Sequence, residues 1–328
     1  MSLAPRMRIE LTVASNRVSH VAIAQGGLTP AAALLGLQAD QALERAPMLY
    51  ALCPVAQKFA AEGAIAAARG EAPLEDRRRD MALVAEKCRE NLRALVLDWP
   101  MLAPDAGTLA TLRAALAATA SIAELAPDRI EQRIEALRAS VDALGFAKDP
   151  PPASTWFARL RHSLASRLGD LDVFVEQIDD EDIFAALATG REPQPGPMRA
   201  MSLIRLLRAR SASIGAAIAQ LAALGSGEVV ESRCNSRALA HRCGAAAVDS
   251  PRGRLFHLVE LDASDRVRTY RTLSPTDRNF APGGPLAQTL LGQCIGAGEA
   301  ASQRVKQIVA MYDPCMQVDA SIRELADA

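Results

Sequence analysis

Aromatic side chains are scarce: the 328 residues include two tryptophans, three tyrosines and seven phenylalanines. That leaves little bulk for the interior of a large sheet and argues against an all-β fold. Lysine is scarcer still, four of 37 cations, and the codon bias of a GC-rich genome explains this more simply than any function. Net charge is nearly absent, −1, so no field is available to hold nucleic acid or an anionic membrane face. The start, MSLAPRMRIELTV, lacks the apolar core and small-residue cleavage site of an export signal. The most apolar helical stretch, 214–224, falls far short of the roughly 20 residues of a membrane span. These absences lead us to expect a cytoplasmic protein whose cysteines stay reduced. The six cysteines, at 53, 88, 234, 243, 294 and 315, include no CxxC pair, so a structural zinc site of the usual kind is not written. A P-loop, a dinucleotide fingerprint and a Ser-His-Asp order are missing as well.

What is present is aliphatic. Half the chain is hydrophobic and about a fifth is alanine, the best helix former, which points to helix packed on helix. Residues 7–24 alternate apolar and polar around Ala14-Ser15-Asn16, a hairpin pattern, punctuated by Gly26-Gly27, and Pro30 suits a helical first turn. The 3.6-residue period then predicts helices over 31–37, 42–68, 74–99, 108–120 and 129–143, the third closed by Pro100 and Pro104. Two proline-rich stretches, 149–152 and 192–197, read as surface loops around an acidic segment at 179–182, so 149–197 is a possible surface insertion. A further helix is expected over 198–224 and a second hairpin over 254–261 and 267–273. An irregular stretch from Pro275 to Pro285 follows, and then a final helix over 299–311. The expected fold class is α+β, predominantly α-helical: a helical bundle with small peripheral β-hairpins, in one domain spanning 1–328.

Few side chains offer chemistry. Cys88 and Cys294 read as apolar filler. Cys234 and Cys243 enclose His241, a spacing that fits no standard zinc pattern yet leaves a redox or metal reading open. Cys53 precedes Pro54 at the entry to an alanine-rich helix, where unpaired amides would stabilise a thiolate. Cys315 follows Asp313-Pro314 at the end of the last helix. Arg252 sits between Pro251 and Gly253 ahead of a strand, rigid enough to present its fork to an anion. His257, on that strand, reads as a packed histidine.

In order along the chain, these pieces resemble the large subunit of [NiFe] hydrogenases. The block SPRGRLFHLVELDASDRVRTYRTLSPTDRNFAPGGP matches that family's APRGxLxH, hairpin, PTxxN and GP pattern at Pro251, Arg252, Gly253, Leu255, His257, Tyr270, Pro275, Thr276, Asn279 and Pro282. RIELTVASNRV resembles its opening hairpin and ALVLDWP its LDW segment. The departures fall on the metal ligands. In LYALCPVAQ, Cys53 matches the second cysteine of the first motif, while Tyr50 stands at the first cysteine and Gln57 at the histidine. In DPCMQVDAS, Cys315 matches the first cysteine of the last motif, while Val318 and Ser321 stand at the second cysteine and the closing histidine. With two of four thiolates absent, a nickel–iron site does not form in the usual way.

That pattern is similar to the HupK/HoxV group of hydrogenase accessory proteins. The resemblance implies no catalysis, but a maturation scaffold holding iron as Fe(CN)2(CO), without nickel, on Cys53 and Cys315. It further implies Arg252 and Thr276 as donors to the cyanides, and Pro251 and Pro275 as an apolar wall for the carbonyl ligand. Asp98 and Asp313 would orient Arg252. The implied partners are the hydrogenase large-subunit precursor, a HypC-type chaperone and a HypD-type synthesis complex. Two alternatives stay open: a cofactor-free chaperone of that precursor with the same fold, and a thiol or zinc protein using Cys234, His241 and Cys243.

Overall fold

Alternating side chains at the N-terminus fold as the expected hairpin. The computed structural model of the chain describes residues 6–26, 29–50, 52–72, 76–169, 171–230 and 234–325. In it β1 (Arg6–Ala14) runs antiparallel to β2 (Arg17–Gly26). Ser15 and Asn16 both take positive φ, 47° and 60°, the turn geometry that follows the strands' own twist. Met7, Ile9, Leu11 and Val13 all point into the core. Gly27 and Leu74, which bound two of the expected elements, lie outside the described residues.

The helix expected over 42–68 is broken. A 3-10 turn at Pro30–Leu34 leads to α1 (Ala39–Arg45), a second 3-10 turn at Ala46–Leu49, and then α2 (Pro54–Arg69). Pro54 restricts the backbone of the residue before it, and Cys53 takes φ −147° and ψ 50°. The next helices lie near their expected places: α3 (Arg77–Leu97), α4 (Ala106–Thr119) and α5 (Pro127–Leu144). Asp76 and Asp105 cap the first two through side chains that accept backbone N–H bonds. The stretch Ala106–Glu124 is long and apolar enough by composition to cross a membrane, which the expectation for 214–224 overlooked. Here it turns at Ser121, φ 49°, and α4 packs against α3 and α5.

From the segment 149–197, α6 (Trp156–Leu168) buries Trp156, Phe157, Leu160 and Leu164 in the same core as β1, α3 and α5. There follow β3 (Asp172–Glu176), α7 (Asp180–Ala188), β4 (Met198–Ser202) and α8 (Leu203–Ser226). Helix therefore does not begin at residue 198: Met198–Ser202 pairs with β3, and the Ser202 side chain caps α8. The acidic run forms the cap and first turn of α7, where the helix dipole favours negative charge.

A four-stranded antiparallel meander comes next: β5 (Cys234–Ala240), β6 (Cys243–Ser250), β7 (Gly253–Leu261) and β8 (Val267–Leu273). Only β7 and β8 were expected. Central strands β6 and β7 are covered on both faces, by α2 on one side through Ala246, Val248, Leu255 and Val259. Ile183, Phe184 and Leu187 of α7 cover the other. Covered strands read as continuous apolar runs instead of alternations, which hid β6. The stretch from Pro275, expected to be irregular, contains α9 (Pro275–Asn279) and α10 (Pro285–Leu290). After α11 (Gly298–Ala310), the chain ends its described part in β9 (Gln317–Glu324), parallel to β1.

Small residues bring α2 onto β6. A Cβ at Gly244 would lie 2.3 Å from the Ala64 carbonyl oxygen and 2.3 Å from Ala68 N. Those are backbone atoms that cannot rotate away. Gly244→Ala should therefore lift α2 from the sheet and cost about 2–3 kcal/mol, read as a lower urea midpoint. An unchanged midpoint would show that this contact is slack.

Candidate functional site

Cys53 caps α2 with its backbone, and its side chain is buried. The helix amides beyond it are already taken: Val55 N and Ala56 N donate to the Glu86 carboxylate at 2.8 and 2.9 Å. The expected stabilisation of a Cys53 thiolate by the helix end therefore fails. Burial pushes its pKa up to about 12, and the neighbouring Glu86 adds to the rise. Gln57, one turn on, donates from Nε2 to Cys53 Sγ at 3.7 Å. Its Oε1 lies 2.8 Å from His257 Nε2, and His257 Nδ1 lies 2.8 Å from the Tyr270 hydroxyl. Burial alone lowers the His257 pKa to about 3. Neutral, it donates from Nε2 to Gln57 and accepts from Tyr270, a packed histidine as expected.

Cys315 arrives from the other side, in the turn after α11. Its backbone N–H donates to Thr276 Oγ1 at 3.1 Å. Burial raises its thiol pKa, opposed by the Thr276 hydroxyl and the charge of Arg252. Thr276 sits in the first turn of α9, behind a capping box in which Ser274 and Asp277 satisfy each other's backbone N–H.

Between the two cysteines' elements stands Arg252, in the tight turn from β6 to β7. Its side chain is 3% exposed and that of Asp313 is 6% exposed. Arg252 Nε donates to the Asp313 carbonyl at 2.9 Å and lies 3.3 Å from its Oδ2. Arg252 Nη2 lies 3.7 Å from Glu90 Oε2. Arg252 Nη1 is buried with no hydrogen-bond partner among the described residues. Leaving such a donor unpaired costs about 1–3 kcal/mol. Asp313 has φ 46°, the left-handed region, and also binds Arg210 at 3.1 Å.

Cys53, Cys315, Arg252, Thr276 and Pro275 line one cavity of about 680 Å³, with Tyr50 at its wall. Asp313 holds Arg252 from behind without lining that cavity. The structure does not bring in two other sequence candidates. Asp98 pairs with Arg93 at 2.9 Å and reaches Arg252 only indirectly, through Arg93 and then Glu90 or Asp313, because α3 ends at Leu97 and turns away. Pro251 faces a second cavity, of about 370 Å³, with its carbonyl 3.3 Å from Asn91 Nδ2. Val318 and Ser321 lie in β9, beside Met7 and Glu10.

Sequence reasoning missed Glu86, Glu90 and Arg210. Glu86 and Glu90 are four apart on a helix face that also carries buried Leu83, and two acids on such a face were a readable signal. The β5–β6 register sets Cys234 opposite Val248 and Cys243 opposite Ala240, at the two ends of the hairpin. The Cys234, His241, Cys243 reading thus lacks a common site. Cys88 is buried as expected, but Cys294 is exposed, since it follows the Gly292 turn out of the core. Among the described residues, no group of three His, Cys, Asp or Glu side chains is placed to hold a metal ion.

No family model matches the chain. Curated relatives do. The hydrogenase expression/formation protein HupK of Rhizobium leguminosarum bv. viciae is 33% identical over 98% of this chain and 97% of its own length. HupK of Bradyrhizobium diazoefficiens is 30% identical over the whole of both chains. Among solved structures, an NAD+-reducing [NiFe]-hydrogenase in the H2-reduced state superposes with a TM-score of 0.62 at 14% identity, covering 92% of this chain and 93% of that one. That likeness is one of fold, the hydrogenase large-subunit fold expected above.

Burial raises the Glu86 pKa to about 7, partly opposed by the two amides it caps. A carboxyl that holds its proton more tightly folded than unfolded stabilises the fold at low pH. That contribution fades as pH rises from the unfolded value near 4.5 through 7. Between pH 4.5 and 8, urea-derived stability should drop by about 3 kcal/mol more in wild type than in Glu86→Gln. Superimposable profiles would exclude a raised Glu86.

Proposed function

The chain belongs to the HupK family of hydrogenase expression/formation proteins, and from that premise we propose that it is a non-catalytic scaffold of [NiFe] hydrogenase maturation. In this reading it holds the Fe(CN)2(CO) unit on the Cys53 and Cys315 thiolates and passes it to the hydrogenase large subunit. The carrying observation is Arg252: a guanidinium buried at 3% exposure, locked on Asp313, with one donor left unpaired beside a cavity that also holds both thiols. A buried cationic donor without an acceptor suits an anionic acceptor such as a cyanide nitrogen.

The donor set fits a cargo better than a bare ion. Two thiols alone hold a free ion poorly, whereas an iron that brings three diatomic ligands of its own needs few from the protein. Thiolates also suit low-spin, soft iron. Because burial keeps both thiols protonated, loading releases protons and unloading takes them up, which makes the hold reversible. Thr276, bound to the Cys315 amide, supports that cysteine first and the cargo second. Pro275 supplies an apolar wall. Asp313 orients Arg252, while Asp98 contributes at one remove. The proposed partners are the hydrogenase large-subunit precursor, a HypC-type chaperone and a HypD-type synthesis complex, and the proposed compartment is the cytoplasm.

One observation favours a second reading. Protonated, buried thiols and, among the described residues, no third metal-ligating side chain beside them also describe a cofactor-free chaperone of the same precursor. Infrared spectroscopy with metal analysis on anaerobically purified protein separates the two. The scaffold gives iron with CN and CO bands and no nickel, and Cys53→Ala or Cys315→Ala loses those bands. Full-strength bands in both variants would overturn the thiolate assignment. Iron-free wild type that still promotes hydrogenase maturation would establish the chaperone.

A further inference from the structure

We propose that Tyr50 is a second anion-binding residue of the Cys53–Cys315 cavity: its hydroxyl and Arg252 Nη1 are two buried donors that together take small linear anions of the cyanide class. The inference rests on the reading of this cavity as the cargo site and names donors for the anionic groups it receives.

Tyr50 is an extended residue, φ −132° and ψ 110°, between the 3-10 turn Ala46–Leu49 and the start of α2. Its Oη is buried and has no hydrogen-bond partner among the described residues. The Thr272 side chain is near enough to lower the phenol's pKa but is not in hydrogen-bonding geometry. Other polar groups around it already carry a hydrogen bond each. Asp277 accepts the Ser274 N–H at 2.8 Å, Tyr270 is bound to His257 at 2.8 Å, and Thr276 takes the Cys315 N–H. Cys53, Cys315 and Asp277 all bear electrostatically on the Tyr50 hydroxyl, and Arg252 bears on both thiols. The two unpaired donors thus belong to residues that line one cavity, of which Arg252 also borders the second.

Chemistry narrows what they take. Burial pushes the phenol up to about 12, so it acts as a donor and not as an anionic ligand. Two isolated donors, one neutral and one cationic, match a ligand with one or two acceptor ends. The position is also the one that the hydrogenase resemblance gives to the first cysteine, so a proton donor stands where a thiolate is missing.

Infrared titration of the metal-free protein with azide, a linear anion with a strong isolated band, tests the donors without any iron. Wild type should bind azide with a shifted band. Tyr50→Phe should weaken binding about tenfold at unchanged melting temperature, the scale of one charge-assisted hydrogen bond, and Arg252→Lys should weaken it too. Tyr50→Phe affinity within twofold of wild type, or no azide binding by wild type, overturns the proposal. In iron-loaded protein, Tyr50→Phe should shift one cyanide band and leave the carbonyl band in place. Azide binding by a protein that never carries CN or CO bands would leave the Tyr50 site standing while removing the scaffold reading.

Discussion

The buried pair of Arg252 and Asp313 decides where everything else in the site can lie. Its two side chains come from opposite parts of the fold, the turn between β6 and β7 and the turn after α11, 61 residues apart. Both are buried, and a buried charge without its partner is far more costly than the pair is worth. The meander and the helical core must therefore meet at this point. Asp313 accepts a left-handed backbone, φ 46°, to face Arg252 and Arg210 at once. Cys315 follows two residues later, so the ion pair also sets its position.

Cys53 is set by a different means. Close packing of α2 on β6, through Gly63, Ala64 and Gly244, fixes the axis of the helix, and Glu86 fixes its first turn by accepting two of its amides. This gives the alanine-rich, aromatic-poor composition a structural cause. Small side chains are what let a helix approach a sheet covered on its other face by α7. The cost is a site of buried thiols that hold their protons.

Much of this was legible beforehand. Hairpin turns at Ser15-Asn16 and Ser264-Asp265, the helices α3, α5 and α11, and the entry of Cys53 into a helix all have local causes, in turn residues, caps and prolines. The family likeness, too, lay in collinear motifs around Arg252 and Thr276. What stayed hidden has non-local causes. Strand β6 looks featureless because both its faces are covered, and β9 looks like a polar tail because it lies at a sheet edge. The break before Pro54 competes with a strong helical period on each side.

By itself, then, the sequence determined the helical character, the local turns and the identity of two unpaired cysteines with an arginine beside prolines, since each depends on near neighbours. The tertiary structure alone decided which of those residues share a cavity. It placed Cys53, Cys315, Arg252 and Thr276 around one cavity, put Asp313 behind Arg252, and left Asp98 and Pro251 outside. It also revealed Glu86, Gln57 and Tyr50. Their roles follow from burial and from which hydrogen bonds remain unmade, and those are properties of the assembled interior.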